Sequence, residues 1–136
     1  MQRISRHRTD EGAAAVEFGI VAFLLVLLLF GIIQFGFLFF QWLETTHAAR
    51  EGVRWAALGH SESEVITRAQ AAAPSLDWTT PGSSISAPDA EGAPGTPVTV
   101  FVEYPTPLFA PLMQNIFGVG NATTFTLRSA ATQRIE

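Results

Sequence analysis

The chain has 136 residues, no Cys and no Lys, and its 8 Arg against 12 acidic residues leave a formal charge of −4. That excludes a disulfide scaffold, a thiolate metal site and a cysteine nucleophile, and it argues against a basic nucleic-acid binder. Apolar residues make up 48% and charged residues only 15%, below the roughly 25% usual in soluble domains, so the apolar excess must be located before anything else is read.

It sits in one place. Between Glu17 and Glu44 there is no charged side chain, and from Gly19 to Phe40 the one strongly polar residue is Gln34. As a helix at about 1.5 Å per residue, this core spans about 33 Å, matching a hydrocarbon layer of about 30 Å. The pattern predicts a single transmembrane helix over residues 13–43. A cleaved secretory signal is the lesser reading, because signal apolar regions run to only about 7–15 residues. Arg3, Arg6 and Arg8 precede the span, whereas Arg50 and Arg54 lie well beyond it. The positive-inside bias therefore places the N-terminus in the cytoplasm and the later residues outside.

All eight prolines lie between Pro74 and Pro111. Proline is excluded from helix interiors, so the first half of the chain is free to be helical and the second is not. The helix is expected to continue through residues 44–58 and stop at Gly59. On that extension Ala49, Gly52, Val53 and Ala56 share one face, a smooth surface that another element can approach closely. Glu51 and Arg54 are spaced to pair on the exposed side.

Ser61 and Glu64 have capping-box spacing, and Glu64 and Arg68 are an i,i+4 pair. Val65, Ile66 and Ala69 form a short apolar stripe, so a second helix is expected up to Pro74. Residues 74–97 are rich in Pro and Gly and read as loop, with room for a short strand at 84–87. Val98, Val100, Val102 and Tyr104 alternate onto one face of a strand. Pro105, Pro107 and Pro111 are expected to break the following stretch, which carries Leu108, Phe109, Leu112, Met113, Ile116 and Phe117. A last strand is expected over about 123–131, with Phe125 and Leu127 facing inward. The fold class is α+β: a long N-terminal transmembrane helix extends into a small head (59–136) with a second short helix and a small antiparallel sheet. Such a head buries a marginal core alone, and the small-residue face of the helix would supply the missing surface.

Candidate chemistry is sparse. His7, His47 and His60 are the histidines, and His47 with Glu51 makes two positions on one face, fewer than a metal site needs. No phosphate loop and no nucleophile elbow is present. Asn121-Ala122-Thr123 fits a glycosylation pattern too short to carry weight. Phe35, Phe37, Phe39, Phe40 and Trp42 read as an interfacial belt. No enzyme, cofactor, metal or nucleic-acid partner is expected.

The membrane threshold reads Glu11-Gly12-Ala13-Ala14-Ala15-Val16-Glu17-Phe18. A Gly, small residues, then Glu-Phe and an apolar run resembles the processing site of type IV prepilins. Val16-Glu17-Phe18, Phe30-Gly31-Ile32-Ile33-Gln34-Phe35-Gly36 and Ala48-Ala49-Arg50-Glu51-Gly52-Val53-Arg54-Trp55-Ala56-Ala57 resemble the TadE-like minor pilins of tight-adherence (Tad/Flp) pili. Tyr104-Pro105 and the tail Ala130-Ala131-Thr132-Gln133-Arg134 agree. Phe23 and Gln34 stand where many members carry Pro and an acid. The resemblance implies that a prepilin peptidase cuts after Gly12, removing a cytoplasmic leader of residues 1–12 and leaving Ala13 as the new N-terminus. It also implies an inner-membrane, single-pass subunit with an extracytoplasmic head, whose partners are the peptidase, other minor pilins, the major pilin and the assembly platform. Glu17, beside Phe18, would then serve assembly, because a carboxylate at the bilayer edge is costly unless paired and the new ammonium at Ala13 lies one helical turn away. The alternative function is an unprocessed, membrane-anchored binding module.

Overall fold

The computed structural model describes residues 7–107 and 124–136, with side chains from Gly12 onward. Arg3, Arg6, Asn121 and the Leu108–Phe117 stretch therefore lie outside the described residues. Helix α1 runs His7–Ala57 without interruption, as a stretch free of proline allows. It ends where Gly59 takes a φ of 77°, a left-handed conformation that only glycine adopts at little cost. The chain divides into two compact units, the first ending at Gly36 and the second spanning Phe37–Glu136.

The first unit is a bare helix. Its apolar window is long and apolar enough to cross a membrane, and none of that window is buried by protein. Phe18, Leu24, Ile32 and Phe35 are each more than 60% exposed. A helix that is apolar all round and left uncovered is suited to lipid rather than to a protein core. That distinguishes it from the central helix of a soluble domain, which would be mostly covered.

The second unit contains the C-terminal part of α1, helix α2 (Glu62–Ala72) and three strands, β1 (Ser84–Ser86), β2 (Pro97–Pro107) and β3 (Thr124–Arg134). The sheet is antiparallel in the order β1-β2-β3, so the architecture is mixed α+β. Val98, Val100, Val102 and Tyr104 are all buried along β2, because a period-2 strand sends alternate side chains to one face. They form one core with Ala49, Val53 and Ala56 of α1 and Val65 and Ala69 of α2. The outer face of the ladder carries polar pairs on either side of an exposed Phe101: Thr99 and Thr132 share a hydroxyl hydrogen bond of 2.9 Å, and Arg128 meets Glu103 at 3.0 Å.

Three expectations are corrected. β2 does not break at Pro105 but continues to Pro107. β1 pairs only with Phe101, Val102 and Glu103, so among the described residues no strand on that side of β2 requires an N–H from the later residues, and proline is tolerated on such an edge. β3 extends to Arg134 instead of ending near Ala131, since the whole of β2 back to Pro97 is available for pairing. Phe125 is 54% exposed while Leu127, two residues on, is buried. Phe125 pairs with Thr106 near the end of the ladder.

The end of the chain closes the core. Ile135 is buried, its N–H donates to the Thr96 carbonyl at 3.0 Å, and its carbonyl accepts from the Gly95 N–H at 2.8 Å. The Glu136 N–H donates to the Ala57 carbonyl at 2.8 Å, satisfying one of the carbonyls that any helix end leaves unpaired. Trp78 pins the intervening loop, with its indole N–H donating to the Ala73 carbonyl and its ring edge-on to Tyr104 at 5.9 Å.

Candidate assembly surfaces on the long helix

Gly12, Ala13, Glu17 and Phe18 all lie on α1 and are exposed. Helical spacing sets Glu17 one turn beyond Ala13, and Glu17 makes no ion pair among the described residues. The Gly12–Ala13 peptide bond itself lies inside the helical run.

The second surface behaves differently. Ala49, Gly52, Val53 and Ala56 are buried, together with Thr45 and Ala48. A Cβ built on Gly52 would stand 3.1 Å from Val100 Cγ1 and 3.2 Å from the Ala69 Cβ, so here α1, α2 and β2 approach so closely that even a methyl group would require its neighbours to give by a few tenths of an ångström. This face is occupied by the protein's own head and is not open to a partner. Glu44, at the rim of the same region, accepts a 2.6 Å hydrogen bond from the Ser75 hydroxyl. Thr45 and Ala48 extend the face one turn earlier than the four residues expected from spacing, and their small size was the available signal.

The charged pairs are rearranged. Glu51 does not pair with Arg54; its Oε1 accepts from Arg68 Nε at 3.0 Å and Nη2 at 2.9 Å. Glu64 therefore does not hold Arg68. Its Oε2 instead accepts from the Ser61 N–H at 3.1 Å and the Ser61 hydroxyl at 3.0 Å, with His60 Nδ1 at 3.4 Å. Tertiary contact between α1 and α2 wins over the local i,i+3 and i,i+4 options, which are worth only a few tenths of a kcal/mol each. His47 is exposed, and no group of three or more potential metal ligands occurs among the described residues.

Hydrogen bonds from the Ser61 N–H and then the Ser61 hydroxyl hold the Glu64 carboxyl below its ordinary value, and His60 adds to the effect. Thr79, through its hydroxyl and N–H, does the same for Asp77. A carboxyl depressed in the folded state stabilises the fold above its unfolded value, and that contribution is lost as pH falls through the folded one. The melting temperature of the head is accordingly expected to fall on acidification below about pH 4.5, the carboxylate range. Glu64→Gln should flatten that dependence; melting curves at successive pH values whose slopes match wild type would reject the linkage.

The geometry is thus an uncovered apolar helix with one carboxylate near its start, followed by a small-residue face sealed beneath a head. Residues 12–54 match the TadE-like protein family. The TadE-like segment begins at Gly12, takes in the whole apolar helix and ends at Arg54, within the buried face. It agrees with the resemblance drawn from the threshold residues, while α2 and the sheet lie beyond it. No curated protein and no solved structure matches the chain.

Proposed function

We propose that the protein is a minor pilin-like subunit of a tight-adherence pilus, with a structural and not a catalytic role. A prepilin peptidase cuts it after Gly12, and it is held in the inner membrane with its N-terminus cytoplasmic and its head outside. It supports pilus assembly for surface attachment through contacts with other minor pilins, the major pilin and the assembly platform. The observation that carries this reading is the TadE-like match beginning at Gly12, at the start of an apolar stretch of helix that none of the described residues covers.

Cleavage requires the helix to open locally, and glycine at position 12 favours opening because it costs about 1 kcal/mol in a helix relative to alanine. The intact mass of protein extracted from membranes is expected to correspond to a chain starting at Ala13. A chain still starting at Met1 would remove the processing step and leave the unprocessed, membrane-anchored binding module as the reading.

A further inference from the structure

Two hydrogen bonds fix how the sheet runs along α1. The Ser129 hydroxyl donates to Thr46 Oγ1 at 3.3 Å, and the Glu136 N–H donates to the Ala57 carbonyl at 2.8 Å. β3 therefore runs in the same direction as α1, and its start lies toward residues 37–43 of the helix. Thr46 to Ala57 matches Ser129 to Glu136, so the four residues from Ser129 back to Phe125 match about six on the helix, reaching Phe40. By the same measure Arg128, paired with Glu103 at 3.0 Å, stands level with Glu44, the first charge after the apolar run. Charge thus ends at one level on α1, β2 and β3, and between Glu103 and Arg128 the sequence holds no charged residue. Beyond that level Phe125, on the face that Ser129 turns to α1, is 54% exposed, and Phe37, Phe39, Phe40 and Trp42 are exposed on α1.

From this geometry we infer that the β2–β3 end of the head is a membrane-docking surface, with Phe125 seated in the lipid interface beside the aromatic residues of α1. The inference rests on α1 being the membrane anchor. A hydrocarbon layer takes about 20 helical residues, and counting them from Gly19 brings its edge close to Phe39, the level at which Phe125 stands. Apolar side chains of interfacial elements sit about 5–10 Å into the boundary between headgroups and acyl chains. An exposed, uncharged surface continuous with helix residues that lipid covers is therefore suited to lipid itself. The loop joining α2 to β1 limits the depth. Ser75 bonds Glu44 and Trp78 meets Tyr104, so the exposed Asp77 between them, whose carboxylate accepts from Thr79, stays among the polar headgroups.

The chain has no Cys, so single cysteines can carry a nitroxide label on the full chain in phosphatidylcholine nanodiscs. Power-saturation EPR compares collisions with oxygen, which partitions into lipid, and with a nickel chelate, which stays in water. Phe125→Cys is expected to favour oxygen, as Leu28→Cys in the apolar span does, while Phe101→Cys, exposed near the middle of β2, favours the chelate. A Phe125→Cys label that favours the chelate as Phe101→Cys does, while Leu28→Cys still reports an anchored helix, overturns the proposal. A label shielded from both reagents also overturns it, assigning this end of the head to a protein contact such as a second copy of the chain. If Leu28→Cys itself favours the chelate, the membrane anchor fails and the docking surface fails with it. The near-UV circular dichroism of Trp78 and Tyr104 reports whether each head is folded. Thr124→Cys, exposed one residue nearer the start of β3, carries the same expectation should Phe125→Cys not fold.

Discussion

Gly52→Leu is expected to unfold the head while leaving the apolar helix in its membrane. The position is crowded from two sides, with Val100 Cγ1 at 3.1 Å and the Ala69 Cβ at 3.2 Å from where a Cβ would stand. Both neighbours are fully buried and belong to different elements, so neither can retreat without moving a strand or a helix. Overpacking of this kind costs about 3 kcal/mol, the upper end of the usual range. In a domain of this size that lowers the melting temperature by roughly 10 °C or more, read as loss of the near-UV dichroism of Trp78 and Tyr104. Gly52→Ala sets two effects against each other. Removing a helix glycine gains about 1 kcal/mol, while the neighbours must shift by a few tenths of an ångström, so a small net change is expected. Gly31→Leu serves as the control, because nothing lies within 4 Å of a Cβ at Gly31 and the head should melt as in wild type. A Gly52→Leu protein with an unchanged melting curve would show that the close approach of α1, α2 and β2 does not limit the fold.

The contrast between Gly31 and Gly52 also shows how far the sequence could be read. Both are glycines in one 51-residue helix, yet only the second is flanked by Ala49, Val53 and Ala56 at helical spacing. That spacing was visible, and so was the alternation of β2, because both follow from the fixed periods of helix and strand. Partner choice was not visible. Glu51 has Arg54 within reach along its own helix, and its preference for Arg68 depends on where α2 lands, which no local spacing encodes. Pro105 and Pro107 misled for a related reason. Proline disrupts a strand only where a neighbour needs its N–H, and the shortness of β1 is a fact of topology. At the start of the apolar helix the sequence carries nearly all the available information, because Gly12, Ala13, Glu17 and Phe18 are exposed among the described residues.

Glu17 is the residue whose replacement is expected to change function most. It stands at the start of a span otherwise free of charge up to Glu44, where a carboxylate that enters the hydrocarbon edge is costly unless it finds a cation. Cleavage after Gly12 would create that cation, an ammonium on Ala13 one helical turn away. The competing reading is an acid near the positive end of the helix dipole, partly solvated and worth at most about 1 kcal/mol at an exposed site. Removing the charge separates the two. If Glu17 pairs with an ammonium in the low-dielectric setting of packed helices, Glu17→Gln leaves a charge unpaired at a cost of roughly 3 kcal/mol, on the order of a hundredfold in association. Glu17→Asp keeps the charge and should retain part of the binding. The mature variant is then expected to remain in the membrane and yet fail to co-purify with its pilus partners. Under the solvated reading, Glu17→Gln would co-purify as wild type does, and that outcome would sink the assembly role while leaving cleavage at Gly12 intact. Cleavage and co-purification should therefore be measured on the same preparation, since a Glu17 variant that is not processed never presents the Ala13 ammonium and so cannot test the pair.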